Sequence, residues 1–584
     1  MVFSKIRVLL PALAATLLAG CVPPPQGPGQ LPPVSTAPLV PGRLDSVGVG
    51  EKGLVSAADP RAADAGAQML RLGGSATDAA IATMLALTVV EPQSSGIGGG
   101  GFFLLGNAEG SIETIDGRET APMAAGGQWF YKDGQPLTVR QAVPGGRSVG
   151  VPGNLRLAAE AHSAHGKLAW RTLFRPAIRL ARDGFVITPR LGRSLAQWPA
   201  AALDPASLAL FFGADGKPLP VGTLVRNPAL ADTLERIAAR GADSFYVGPD
   251  AQAIAAKVGT SPVNPAPMTT GDIASYDAKP RPPLCGTYRG YRICGMGPPS
   301  SGQTSIYAVL KQLERFDLAA LGPDSPVSWH LIAESQRLAY ADRARYLGDP
   351  DYVKVPLAGL MDEAYLVSRG TLISAERTMP SVAAGNPAGA PAFADSQPAE
   401  ENGTSHFAVV DRLGTSVSYT STIEAGFGSG LMVGGYYLNN ELTDFDFVPE
   451  IDGRPVANRV EGGKRPRSSM APTLVYGPDG RLVLVIGAAG GSTIPMQVAK
   501  ALIAVIDWKL SAQAAIALPV IFSPGDTIYV EPGSALESMA PALVGLGHKV
   551  ETRTFNYKAN AIQRSGNRWL GAADPRSEGA AIAE

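Results

Sequence analysis

The chain predicts a layered body of mixed helix and strand, α/β or α+β. Three observations carry this. Residues 75–90 (SATDAAIATMLALTVV) are apolar and Ala-rich, as in a buried helix. Residues 406–411 and 415–423 read as two strands joined by the turn Arg412-Leu413-Gly414. Helical and strand-like segments then recur in mixed order, which favours helices enclosing sheets. With 45% hydrophobic residues over 584 positions, the chain has enough apolar mass for a large core. Fifty basic residues against 51 acidic ones leave no positive excess, which argues against a nucleic-acid partner. Three Cys and five His argue against a zinc-rich architecture.

The N-terminus reads as an address. Lys5 and Arg7 precede an apolar stretch, 9–20, that is too short to cross a bilayer core of roughly 30 Å. Residues 1–20 are therefore expected to be a secretory signal. Leu18-Ala19-Gly20-Cys21 resembles a lipoprotein box, in which cleavage before Cys21 exposes it for lipid attachment; the alternative is an ordinary signal with a chance Cys. Residues 21–45 then hold the lipidated Cys and a Pro/Gly-rich tether without hydrophobic period. The expected location is the bacterial periplasm, on a lipid anchor. Val22 after the Cys points to the outer membrane rather than the inner one.

The elements follow in order. Ala58-Asp59-Pro60 opens a helix that runs to about Leu72 and stops at Gly73-Gly74. After the helix 75–90 comes a glycine loop, 94–101, and a strand FFLLG. The loop contains GxGxxG at Gly96, Gly98 and Gly101, but a dinucleotide site needs a strand before it and a helix after it. Here the order is reversed, so close backbone packing is the better reading. Residues 150–350 look mainly helical, with a long helix over 325–347. If Arg289-Gly290 is a two-residue turn, Cys285 and Cys294 face each other across a hairpin, within disulfide reach; two free buried thiols are the alternative. Residues 380–403 are low in complexity and should form an exposed loop. A hairpin over 474–486, turning at Gly477-Pro478-Asp479-Gly480, precedes a helix over 494–507.

The chemistry concentrates at Glu401-Asn402-Gly403-Thr404-Ser405-His406, where the loop runs into a strand that begins with Thr. A Thr hydroxyl needs an adjacent base. A Thr that becomes a new N-terminus carries one, because its α-amino group has a reference pKa near 7.7–8.0. Gly403 removes bulk from the bond that must break. The alternatives are a strand-edge Thr and an N-x-T glycosylation site at Asn402.

With GGSATDAA, SSGIGGGGFF, IDGRE, PPSSGQ, AYADRARYLGDP, NGTSHFAVVD, NNELTDF, KRPRSSMAPT and GAAGGS, the chain from about Val47 to Ser577 resembles the γ-glutamyltranspeptidases (glutathione hydrolases). These are N-terminal-nucleophile hydrolases made as one precursor. The resemblance implies a four-layer αββα fold, cleavage between Gly403 and Thr404, a large chain over 46–403 and a small catalytic chain over 404–584, held together as a heterodimer. It implies Thr404 as nucleophile, Thr422 as its hydrogen-bonding partner, and Gly490 and Gly491 as oxyanion hole. Arg118, Ser468 and Ser469 would take a substrate carboxylate, and Glu424, Glu441 and Asp444 its ammonium. Arg118 alternatively pairs structurally with Asp116 or Glu119. No metal and no cofactor are implied. The expected partners are a small γ-glutamyl donor and an amino acid, peptide or water acceptor. Two departures stand out: Ala488-Ala489 before the glycines, and an unfamiliar lid region over 445–467. The competing functions are an acylase for glutaryl or cephalosporin side chains, and a non-catalytic peptide-binding envelope lipoprotein.

Overall fold

The computed structural model describes residues 48–396 and 403–584. The expected signal, Cys21 and the tether lie outside the described residues, as do residues 397–402 of the linker.

Two seven-stranded sheets stack face to face. One runs Val49–Gly50, Arg568–Ala573, Lys558–Ser565, Leu482–Ala489, Thr473–Tyr476, Tyr291–Gly295, Leu284–Tyr288. The other runs Ala580–Ala583, Leu54–Ala57, Ser405–Val410, Ser416–Thr422, Gly100–Gly106, Ile112–Gly117, Lys279–Arg281. Neighbouring strands in both sheets pair antiparallel. Each sheet mixes strands from before and after Gly403, so neither half of the chain could complete a sheet alone.

The period-2 alternation of the strands decides the layers. Leu54, Leu104, Ala408, Val410, Leu474, Tyr476, Val485 and Ile562 meet between the sheets. Their neighbours Val55, Phe103, Phe407 and Val409 point the other way, into a core shared with the helices Pro60–Arg71 and Ala76–Val90. On the opposite side Ile293, Val475, Leu484 and Ile486 pack against Gly302–Leu313, Pro326–Tyr346 and Ile494–Ile506. The result is helix, sheet, sheet, helix. Helix Ala76–Val90 is buried at every position, in keeping with its predominantly apolar, Ala-rich sequence. Its N-terminus carries a capping box between Ser75 and Asp78.

The glycine loop sits between that helix and the strand Gly100–Gly106. A Cβ on Gly98 or Gly99 would lie 2.0 Å from the Tyr437 carbonyl oxygen or 1.9 Å from that of Thr422, so close backbone approach is the reason for these glycines. Cys285 pairs with Cys294 across the hairpin, and the two form a disulfide. The segment over 380–396 lacks regular structure but is not wholly exposed: Phe393 and Ala394 are buried, and Phe393 packs with Tyr346, Leu347 and Val353.

One buried pair makes stability depend on pH. His330 Nδ1 lies 2.6 Å from His548 Nε2, and His330 Nε2 lies 2.7 Å from the Ser374 carbonyl oxygen. Burial pulls both imidazoles below their ordinary range, His548 to about 4 with His330 adding to the effect. The unfolded chain, with His near 6.5, then binds more protons than the folded one. Stability is fully present above about pH 6.5 and is lost as pH falls toward 4. The thermal midpoint should decline over that window, and more shallowly in His548→Gln; equal slopes would exclude the pair as the cause.

Candidate active site

Thr404 immediately precedes the strand Ser405–Val410 and is 5% exposed. Its hydroxyl lies 3.2 Å from the Thr422 hydroxyl oxygen, at the end of the paired strand Ser416–Thr422. Thr422 Oγ1 in turn accepts the Glu424 N–H at 2.8 Å. The Thr404 N–H donates to the Ser94 carbonyl at 3.2 Å. Thr404 has a φ of +96°. A β-branched residue there is strained, at a typical cost of about 1–3 kcal/mol, and the strain sits beside the Gly403–Thr404 bond.

Gly403 has no room for a side chain, since a Cβ would fall 1.4 Å from the Glu424 carbonyl oxygen. The Gly403 carbonyl is met by the Gly490 N–H at 3.4 Å. Gly490, rather than Gly491 in the following turn Gly491–Thr493, makes this contact. The Ala488-Ala489 departure does not leave the loop loose. Both residues end the strand Leu482–Ala489, Gln497 donates to the Ala489 carbonyl at 2.8 Å, and Thr493 Oγ1 donates to that of Gly490 at 2.7 Å. A cavity of about 60 Å³ beside Thr404 is lined by Gln93, Ser94, Arg190, Trp198 and Asn556.

A second group of charges gathers behind Glu424. The Glu424 carboxylate accepts from Asn440 Nδ2 at 2.6 Å, and Asn440 Oδ1 accepts the Ala425 N–H at 2.8 Å. Next in sequence, the turn Glu441–Asp444 presents Glu441 and Asp444 to the buried Arg118 guanidinium, which pairs with both. Arg118 also donates to the Pro466 and Arg467 carbonyls, at 3.2 and 3.0 Å. The alternative pairing with Asp116 or Glu119 does not occur through the guanidinium. The Asp116 carboxylate takes the Arg118 backbone N–H at 2.9 Å and pairs with Arg281 and Arg465, at 2.7 and 2.6 Å. Glu119 is fully buried, and neither of its carboxyl oxygens has a hydrogen-bond partner among the described residues. Burial pushes its pKa up to about 8 against the pull of Arg118, so it is mostly protonated at neutral pH. Glu441 Oε2 is likewise buried with no hydrogen-bond partner among the described residues.

Ser468 and Ser469 are fixed by the N-terminal end of helix Gly302–Leu313. The Ser301 N–H and hydroxyl both donate to the Ser468 carbonyl at 2.7 Å, and Ser468 Oγ accepts the Met470 N–H at 3.1 Å. Arg343, which sequence reasoning did not single out, donates from Nη2 to Ser469 Oγ at 2.6 Å and from Nε to Ser301 Oγ at 2.8 Å. Asn440 was also missed as a residue in its own right, although it stands inside the NNELTDF motif. The segment over 445–467, expected to be a lid, is anchored at two points: Phe447 stacks on Phe130 with ring centroids 4.1 Å apart, and Lys464 Nζ donates to the Ala457 and Arg459 carbonyls, both at 2.9 Å. A larger cavity, about 470 Å³, borders Ser492 of the glycine turn together with Tyr340, Arg343, Phe522, Tyr529 and Arg553.

The structure thus brings Thr404, Thr422, Gly490 and Glu424 together, and joins Arg118, Glu441 and Asp444 to them through Asn440. The four layers and the Thr placed at a strand start define the N-terminal-nucleophile hydrolase fold. The family model for gamma-glutamyltranspeptidase matches residues 62–584, and the chain belongs to that family. It is 36% identical to the glutathione hydrolase proenzyme of Bacillus subtilis (strain 168), over 99% of this chain and 98% of the relative. It is 35% identical to the acylase ACY 1 proenzyme of Pseudomonas sp. (strain SE83), over 86% of this chain and 88% of the relative. Among solved structures it resembles the cephalosporin acylase of Bacillus halodurans, with a TM-score of 0.79 and 26% identity over 96% of this chain and 99% of that one.

Proposed function

We propose that the chain is a self-processing γ-glutamyl hydrolase and transferase. The observation that carries this reading is the surplus of carboxylates around Arg118. Glu441 and Asp444 both pair with the one guanidinium, Glu424 lies beside them, and Glu441 Oε2 has no hydrogen-bond partner among the described residues. A buried carboxylate oxygen with no hydrogen-bond partner suits a ligand that brings its own ammonium. A γ-glutamyl group has one, and a glutaryl group does not. Arg118 with Ser468 and Ser469 would take the α-carboxylate of the same ligand.

Processing comes first in this scheme. The Thr404 hydroxyl attacks the Gly403 carbonyl, and the Gly490 N–H stabilises the oxyanion. Collapse expels the Thr404 nitrogen, and water hydrolyses the resulting ester. This separates a large chain ending at Gly403 from a small one starting at Thr404. The freed α-amino group then takes the hydroxyl proton as Thr404 attacks the γ-carbonyl of a donor such as glutathione. Each oxyanion-hole donor is typically worth about 2.7–4 kcal/mol in such a step. The amine product leaves, and water or an amino acid or peptide amine accepts the acyl group. The cavity beside Ser492 offers room for a leaving or accepting peptide.

The acylase relatives favour a second reading, in which the acyl group is glutaryl. The test compares γ-glutamyl and glutaryl anilides of the same amine. Faster γ-glutamyl cleavage is expected, and faster glutaryl cleavage would overturn the assignment. For processing, Gly403→Ala should slow the appearance of two chains by about a hundredfold or more, because the added carbon must displace the bond from its attack geometry. Processing of that variant at the wild-type rate, followed by intact mass, would count against the scheme.

A further inference from the structure

The buried pair Lys558–Glu91 has no part in the mechanism above, yet it lies where the two halves of the site meet. Lys558 begins the strand Lys558–Ser565 and stands opposite Ala489, the residue before Gly490. Its side chain is fully buried and leaves its own sheet. Nζ reaches Glu91 Oε2 at 2.8 Å, and Ser94 Oγ and Ser405 Oγ each at 3.3 Å. Glu91, at the C-terminal end of helix Ala76–Val90, also accepts the Ser405 hydroxyl at 2.7 Å. Ser405 follows Thr404 in the chain. The Ser94 carbonyl accepts the N–H groups of both Thr404 and Ile423, at 3.2 and 3.3 Å, and so holds the Thr404 and Thr422 strand ends together. One ammonium therefore ties the strand that leads to the oxyanion glycine to the residues that seat Thr404.

We infer that Lys558 and Glu91 are positioning residues. They fix Thr404 against Gly490 and set the charge around the α-amino group that cleavage would free. The inference rests on Thr404 being the nucleophile, but not on the γ-glutamyl donor. Burial pulls the Lys558 ammonium down, to about 8, although Glu91 opposes this. Burial also acts to raise the pKa of Glu91, but Lys558 and Arg190 outweigh it and hold the carboxyl below its ordinary value. At neutral pH both members are charged. The other charged groups around the pair and Thr404 include Arg190, Nε of which is 3.7 Å from Glu91 Oε1, Arg61, which acts on Glu91, Arg193 at the cavity, Asp59, which acts on both members, and Glu424 beside Thr422.

The test uses the full chain with Lys558→Met, Glu91→Gln and the double variant. Processing is followed by intact mass, and donor cleavage by kcat and KM across pH. Both single variants should process more slowly and lose about 10- to 100-fold in kcat, with KM for the donor within about twofold of wild type, because Arg118 and Asp444 are untouched. The acidic limb of the kcat profile should move in opposite directions. Loss of the cation raises the pKa of the amine and shifts the limb upward in Lys558→Met; loss of the anion shifts it downward in Glu91→Gln. A general loss of structure would move both alike. The double variant leaves neither buried charge unpaired, so it should regain the wild-type thermal midpoint while kcat stays low. Limbs that move together or not at all, or processing and kcat within twofold of wild type, would overturn the inference. If wild type cuts itself but cleaves no γ-glutamyl anilide, the donor assignment fails. Processing rates of the same variants across pH then decide the positioning role alone.

Discussion

Thr404→Ala is expected to remain one uncut chain and to lose about four orders of magnitude or more in donor cleavage. The scheme uses Thr404 twice, once on the Gly403 carbonyl and once on the donor, and removal of a nucleophile that acts within a unit is the most costly single change. Intact mass and N-terminal sequencing read the first effect, and single-turnover cleavage of a γ-glutamyl anilide reads the second. Thr404→Ser is the control. It keeps an oxygen at the same place, 3.2 Å from Thr422 Oγ1 in the wild type, so it should still cut itself and turn over at a reduced rate. An Ala variant that still yields a small chain starting at residue 404 would remove Thr404 from the mechanism.

Arg118→Met should have the next largest effect, and on two quantities at once. The guanidinium pairs with both Glu441 and Asp444, and all three are buried. Removing one partner from a buried ion pair typically costs about 3–5 kcal/mol, because the remaining charge is left uncompensated. The thermal midpoint should fall accordingly. Loss of the guanidinium's remaining charge-assisted hydrogen bond to the substrate carboxylate should lower kcat/KM by about one to two orders of magnitude. Arg118→Lys separates the two quantities. It keeps the charge but not the planar fork, so most of the stability should return while kcat/KM stays well below wild type. If Arg118→Lys cleaves the donor as wild type does, Arg118 is a structural counter-ion only.

Much of the body was legible because its signals are local. The helix over 76–90 announced itself by its Ala-rich, mainly apolar sequence, and it is buried at every position. The strand over 405–410 pairs with 416–422 around the expected turn, since alternation and Gly414 together leave one register. Cys285 faces Cys294 for the same reason: the turn length determines which residues oppose each other. The buried segment around Phe393 was missed, because a Pro- and Ala-rich stretch carries no period that tells an exposed loop from one laid into a groove. The site was legible as a set of motifs but not as a set of contacts. Arg118 had two candidate partners within two residues, and its guanidinium pairs with neither.

The sequence alone determined the local chemistry. A Gly that permits close approach precedes a Thr at the start of a strand, acidic residues sit three apart at Glu441 and Asp444, and a glycine pair ends a strand at Gly490-Gly491. These follow from backbone freedom and side-chain type, which neighbours in the chain define. Only the tertiary structure decided which groups meet. Arg118 lies 323 and 326 positions from its carboxylates, and Lys558 lies 467 positions from Glu91. The register of the two sheets and the way they stack set those encounters. A buried charge in an apolar interior is tolerable only where packing delivers a partner, and no local pattern names the partner that packing delivers.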